Sequence, residues 1–215
     1  LTSYSFADAV PGMKYVWKTG YLGSGNPNIA WSGESSFIVG IPEQSQPIDI
    51  LPGETSAQYR MFSIPYWLQN EDAVAALGAI IGNYDTKMFR IGGYDANIGG
   101  FVEYGQGLKI VPGRAYWILS RNGIKLTVTG VPVNLDQTIG IVLDKGWNMI
   151  APPNNANYDW TLLDIVVYDD NGKMIYQGSV GNAASADYID ADLWLWAGSE
   201  NDYVPTTVLE KGKGC

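Results

Sequence analysis

Apolar and polar positions change period along this chain, and the changes divide it into elements. Large apolar and polar side chains alternate through Lys14-Tyr15-Val16-Trp17-Lys18-Thr19-Gly20-Tyr21 and, more weakly, through Ser36-Phe37-Ile38-Val39, which predicts strands on either side of the loop Gly23-Ser24-Gly25-Asn26-Pro27-Asn28. Strand patterns return at 60–64, 87–91, 101–104 and 115–120, with a glycine-rich turn over Gly92-Gly93 and Gly99-Gly100. The alternation is cleanest in Lys125-Leu126-Thr127-Val128-Thr129, which Asn122-Gly123 would join to the preceding strand as a two-residue hairpin turn. Between these strands lies a different pattern. Apolar residues, chiefly Ala, Leu and Ile, run through 73–81 with Gly78 among them and end at Gly82, behind Asn70-Glu71-Asp72; Asn70 can cap and the acids suit a helix N-terminus, so a helix of about two and a half turns is expected.

The second half repeats this plan. Asp159 is placed to cap a short helix over 160–164, Val166-Val167-Tyr168 faces Lys173-Met174-Ile175-Tyr176 across the turn Asp169-Asp170-Asn171-Gly172, and Leu193-Trp194-Leu195-Trp196 corresponds to Met88-Phe89-Arg90-Ile91. Gly146-Trp147-Asn148-Met149-Ile150-Ala151-Pro152-Pro153 restates Tyr59-Arg60-Met61-Phe62-Ser63-Ile64-Pro65, with Trp147 standing 88 residues after Tyr59. Lys211-Gly212-Lys213-Gly214-Cys215 restates Pro112-Gly113-Arg114-Ala115-Tyr116 at a spacing of 99, so the second copy carries 11 extra residues, expected as a surface loop within 179–192. The expected organisation is a strand-bearing segment at 1–41, a Pro- and Gly-interrupted linker at 42–57, a repeat module at 58–133 and a second at 134–215. The expected fold class is mainly β, each module with one short helix.

Two resemblances add to this reading. Phe6, Pro11-Gly12, Tyr15-Val16-Trp17-Lys18, Ala30-Trp31-Ser32-Gly33-Glu34 and Ser36-Phe37-Ile38-Val39-Gly40 look like the last strands of a fibronectin type III domain, which implies a partial sandwich whose first strands are missing. Residues 146–153, 108–118 and 126–130 resemble a module found in tandem in bacterial surface and extracellular proteins, whose usual text is G-W-N-L-I-S-x-P, a short helix, an aromatic strand and L-x-P-G-x-G-Y-W-I. Tyr59 and Arg60 depart from its Trp and Asn, and the second copy stops before the Trp that would follow Cys215. The resemblance implies an accessory, non-catalytic module of a larger exported protein, located outside the cell or on its surface. Its partners would be proteins, through self-assembly or flanking domains, or polysaccharide. The incomplete ends would present unpaired strand edges that recruit a partner.

Composition narrows the function classes. Hydrophobic residues at 46% are ample for a core, while charged residues at 16% fall below the usual quarter and Gly, Tyr and Trp number 26, 14 and 8, a balance typical of turn-rich β modules. A net charge of −9 argues against nucleic acid and anionic membrane surfaces, because no basic stripe can neutralise phosphates. No apolar run reaches the roughly 18 residues a membrane helix needs. The start Leu1-Thr2-Ser3-Tyr4 has neither an initiator Met nor a charged leader, as expected of a mature or excised piece. The lone Cys215 has no intrachain partner for a disulfide.

The chain has no histidine, which removes Ser-His-Asp and Cys-His activation and the commonest transition-metal ligand. Glu103, Asp187, Asp190 and Asp192 are the carboxylates that glycosidase-like acid–base work would draw on, but acidic residues in loops of so acidic a protein are ordinarily solvated, and no enzyme is expected. Asp187, Asp190 and Asp192 offer hard oxygens at short spacing and form a candidate calcium site. Gly92-Gly93 and Gly105-Gln106-Gly107 lie between strands without a following Lys, so they read as turn punctuation and not as a phosphate loop. Tryptophan remains. Trp17, Trp117, Trp147 and Trp194 recur at motif positions and are expected in the core, whereas Trp31, Trp67, Trp160 and Trp196 sit at loop edges or on opposite strand faces and are the candidates for stacking on sugar rings. The expectation is therefore a structural or adhesive module, with carbohydrate binding through exposed aromatics as the alternative.

Overall fold

A computed structural model describes residues 9–22, 29–136, 138–198 and 203–215. The chain is mainly β, arranged as several small antiparallel sheets. It opens with β1 (Lys14–Trp17), β2 (Gly20–Leu22), β3 (Ile29–Trp31) and β4 (Ser35–Ile38); β1 pairs with β4 and β2 with β3, forming one interrupted two-stranded ribbon. Phe6 and the loop 23–28 lie outside the described residues. The base of the ribbon is anchored at Gly12, whose carbonyl accepts from the Trp67 indole N–H at 2.8 Å and whose φ of +78 suits glycine; a Cβ there would stand 2.8 Å from the backbone nitrogen of Asn134. Lys14 pairs with Glu71 beside it.

The stretch 42–57, expected as a linker, supplies β5 (Glu43–Gln44) and β6 (Ile48–Ile50). There follow β7 (Arg60–Phe62), β8 (Tyr66–Leu68), helix α1 (Ala73–Ile81), β9 (Phe89–Asp95), β10 (Gly100–Glu103), β11 (Tyr116–Ser120), β12 (Ile124–Leu126) and β13 (Thr129–Pro132). Strands β10, β9, β11 and β7 form a four-stranded sheet in that order, β12 pairs with β6, and β13 lies between β5 and β8. The α1 N-cap is Asp72, which accepts from the Val74 and Ala75 amides, while Asn70 accepts from the Asp72 amide and so braces the cap instead of being it. Ala73 and Leu77 turn inward onto Phe62, Ile64, Phe89, Ile91, Tyr104, Ile110, Ile118 and Leu126, the main core. Two expectations are corrected here. Gly92-Gly93 is not a turn but the middle of β9, the chain reversing at 96–99. Asn122-Gly123 does turn the chain, but its flanks belong to different sheets: β11 pairs with β7 and β9, and β12 leaves for β6, so no hairpin forms.

The remainder comprises β14 (Tyr158–Asp159), a 3-10 turn at Trp160–Leu162 capped by Asp159, β15 (Asp164–Tyr168), β16 (Met174–Ser179), helix α2 (Val180–Ser185), β17 (Leu193–Trp196), β18 (Tyr203–Thr206) and β19 (Val208–Leu209). They pair as β14 with β19, β15 with β16 and β17 with β18. The hairpin across Asp169–Gly172 is as expected, Asp169 Oδ1 accepting from the Asn171 and Lys173 amides. The expected surface loop at 179–192 instead begins with α2, because Ser179 caps it, Val180 is buried with Ile150, Trp160, Leu193 and Leu209, and Ala183 is buried on the same helix. Residues 149–151 join the two parts: Ala115 N–H donates to Met149 O at 3.2 Å and Ala151 N–H to Gly113 O at 3.1 Å, while Ile150 and Cys215 exchange two backbone hydrogen bonds of 2.9 Å on the other side. Arg114 reaches across the seam to Asn148 Oδ1 at 3.2 Å and Val142 O at 2.7 Å. Among the described residues no helix is long and apolar enough to cross a membrane.

Candidate functional site

The outer face of the four-stranded sheet carries an aromatic-lined groove. Cα partners run across it as Glu103, Gly92, Trp117 and Met61, one residue from each strand. Side chains on a strand alternate faces, so Arg90, Gly92 and Tyr94 of β9 share this outer face with Phe101 and Glu103 of β10 and Trp117 of β11, while Phe89, Ile91, Tyr116 and Ile118 face the core. Gly92 contributes no side chain to its row. The gap between Glu103 and Trp117 becomes the floor of a groove of 360 Å³, lined also by Ser56, Tyr59, Arg90, Phe101, Trp196 and Tyr203.

The far wall comes from the other end of the chain. The β17–β18 hairpin brings Trp196 and Tyr203, themselves Cα partners, over β11. Trp196 meets Trp117 edge to face at 5.3 Å and 89°, Tyr203 meets Trp117 at 6.5 Å and 75°, and Tyr59 meets it at 6.0 Å and 86°. Three rings thus stand nearly perpendicular to one, an arrangement that aromatic quadrupoles favour and that fixes the walls of the groove. The polar part is equally fixed. Arg90 Nη2 donates to one oxygen of Glu103 and Tyr84 O–H to the other. The Tyr84 hydrogen bond, followed by that from Arg90, holds the Glu103 carboxyl below its ordinary pKa, so it is an ionised acceptor at neutral pH and not a proton donor. Among the described residues lining the groove it is the one carboxylate.

The other expected tryptophan sites disperse, while Asp187 and Asp190 of the candidate calcium loop line one shallow pocket without Asp192. Of the four tryptophans expected to stack on sugars, Trp196 alone lines the groove. Trp31 is exposed on the ribbon under Lys18, Trp67 holds the ribbon base, and Trp160 is buried at 7% exposure because the 3-10 turn it begins packs into the second core. The expected core tryptophans also part ways. Trp17 is 44% exposed on the ribbon, and Trp147 is 68% exposed, the buried positions after that turn being Met149 and Ile150 while the half-buried Asn148 bonds Asp144 and Gly146. Trp117 is half-buried as the groove's central ring, and Trp194 is half-buried on β17. In the candidate calcium loop Asp190 Oδ1 accepts from the Asp192 amide and Asp187 adopts a φ of +57; among the described residues no three His, Cys, Asp or Glu side chains converge as metal ligands. Cys215 packs on the second core, where burial pushes its thiol pKa up to about 11.

Sequence reasoning missed Tyr59, Arg90, Gly92, Phe101, Glu103 and Tyr203 as one site. The available signal was a glycine pair inside a strand pattern, which marks close approach or an empty position as readily as a turn. The chain matches no protein-family model, no curated protein and no solved structure.

Proposed function

We propose that this chain is a non-catalytic structural and adhesive part of an exported or surface protein, with two copies of one module at 58–133 and 134–215, and that it makes contact through the aromatic groove. The groove carries this reading: it concentrates aromatic contact surface, and the one carboxylate among its described lining residues is held ionised by Tyr84 and Arg90, with no second carboxylate beside it to form an acid–base pair. Matched backbone pairings support the two copies. Phe62 pairs with Tyr116 as Ile150 does with Cys215, at the offsets of 88 and 99, and Ala73 N–H donates to Leu108 O as Trp160 N–H does to Thr207 O. In both, an N-capping aspartate heads the helical turn, Asp72 opposite Lys109 and Asp159 opposite Val208.

Beads coated with the protein should be retained on one another or on polysaccharide-coated glass better than albumin-coated beads, and the protein should turn over no peptide, ester or glycoside substrate. Retention equal to albumin, or turnover abolished by Glu103→Ala, would overturn the proposal.

A further inference from the structure

The geometry points to a neutral saccharide as the ligand of the groove, held with a ring face against the aromatic walls and its hydroxyls on the Arg90–Glu103 pair. This rests on the adhesive reading above and adds the ligand class. A pyranose has flat apolar faces and a rim of hydroxyls, each both donor and acceptor. The groove matches that division, with the aromatic rings of Tyr59, Phe101, Trp117, Trp196 and Tyr203 around one fixed ion pair. Its 360 Å³ lies at the low end of ligand pockets, a size for a short ring-bearing segment.

Charge and hydrogen-bond balance exclude the two rival ligands of aromatic grooves. A quaternary ammonium ion seeks an aromatic cage, but here the Arg90 guanidinium already neutralises the only carboxylate of the described lining and would repel a second cation. A proline-rich peptide also stacks on such walls, but it presents chiefly carbonyl acceptors and few donors, so the lone pairs of Glu103 that it covers would lose water without replacement. Saccharide hydroxyls donate to the carboxylate and accept from the guanidinium, so both partners keep their hydrogen bonds.

Gly92 gives the test its sharpest variant. Its φ is ordinary for an L residue, and a Cβ there would come no nearer than 3.4 Å to any neighbour, so a side chain can be added that fills the floor while the sheet persists. Intrinsic tryptophan fluorescence of the full chain is titrated with hexaoses of β-glucan, mannan and chitin, with choline chloride, and with a proline-rich decapeptide. At least one hexaose should saturate the signal. Gly92→Leu and Trp196→Ala should each weaken it about tenfold or more with an unchanged melting profile, and Trp31→Ala on the distant ribbon should leave it unchanged. Should Trp196→Ala unfold, Tyr203→Ala, nearly half exposed, replaces it. Failure of every hexaose to saturate, equal binding by Gly92→Leu, or saturation by choline or the peptide instead would each overturn the saccharide assignment. Bead retention that survives Gly92→Leu would overturn both the assignment and the groove as the point of contact, leaving only an adhesive role elsewhere on the chain; wild-type retention no better than albumin would overturn the adhesive role itself.

Discussion

In residues 58–133 the pairing of Phe62 with Tyr116 is one rung of a four-stranded sheet backed by α1, whereas in 134–215 the matching pairing of Ile150 with Cys215 stands beside separate two-stranded ladders. The first segment closes over a continuous core that includes Leu77, Ile91, Ile118 and Leu126; the second gathers the smaller set Ile150, Trp160, Val180, Leu193 and Leu209. A two-stranded ladder alone is marginal in water. The second segment therefore depends on its seam with the first, where 149–151 run beside 113–115 and Met149 and Ala151 are buried with Ala115. Similar landmarks can thus be built to unequal independence, and the seam that repairs the deficit also positions Trp196 and Tyr203 over Trp117.

The strongest break of this asymmetry is a cavity in each core. Leu77 is fully buried, and Leu77→Ala should cost about 2–5 kcal/mol. Because the second segment leans on the first, hydrogen exchange should rise in β15–β19 as well as in β9 and β11. Leu209→Ala should raise exchange in the second segment while β9 and β11 stay protected. Equal loss of protection in both segments from Leu209→Ala would mean that the dependence is mutual.

A smaller effect is expected at the seam itself. Gly214 is buried, and a Cβ there would stand 2.2 Å from the Ala115 Cβ and 3.2 Å from the Met61 Cβ, both on short or branching-point atoms that cannot swing away. Gly214→Val should cost about 1–3 kcal/mol by overpacking and loosen the edge-to-face contact of Trp196 with Trp117. Near-ultraviolet circular dichroism reads that contact; a mutant with the wild-type aromatic spectrum and melting temperature would show that the seam does not hold the groove.

Much of the local structure was legible because it is set by neighbours in sequence. The largely apolar run at 73–81, which tolerates Gly78 within it, ended at Gly82, and Asp169-Asp170-Asn171-Gly172 supplied its own side-chain bonds for a turn, so α1 and the β15–β16 hairpin were found. What was not legible depends on residues far apart in the chain. Strand β12 obeys the alternation that predicts it, yet whether it pairs with β11 or with β6 is decided by the core around Ile50 and Leu126 and not by Asn122-Gly123. Exposure of each tryptophan was read from local faces, but Trp160 is covered by α2 and Trp117 by the β17–β18 hairpin. The groove needed the most distant information: Gly92 looks like punctuation until Glu103 and Trp117 are known to flank it in register.

The smallest expected effect distinguishes the segments by acid. Glu103 has its pKa lowered in the fold, first by the Tyr84 hydrogen bond and then by Arg90, against an ordinary value of 4.5. The folded protein therefore releases this proton more readily than the unfolded chain, and the stability it contributes is present above pH 4.5 and lost as pH falls through the lower folded value. Arg90 is about half exposed and the pair is partly screened, so the contribution is no more than about 1 kcal/mol. Glu103→Gln removes the charge and keeps the shape. Melting temperatures of wild type and Glu103→Gln should differ at pH 7 and draw together as pH falls below 4.5, with the acid-sensitive exchange confined to β9 and β10 of the first segment and absent from β15 and β16. A difference that stays constant from pH 7 to pH 3 would show that Glu103 is not the group holding the groove face in order, and that its ion pair contributes packing without charge.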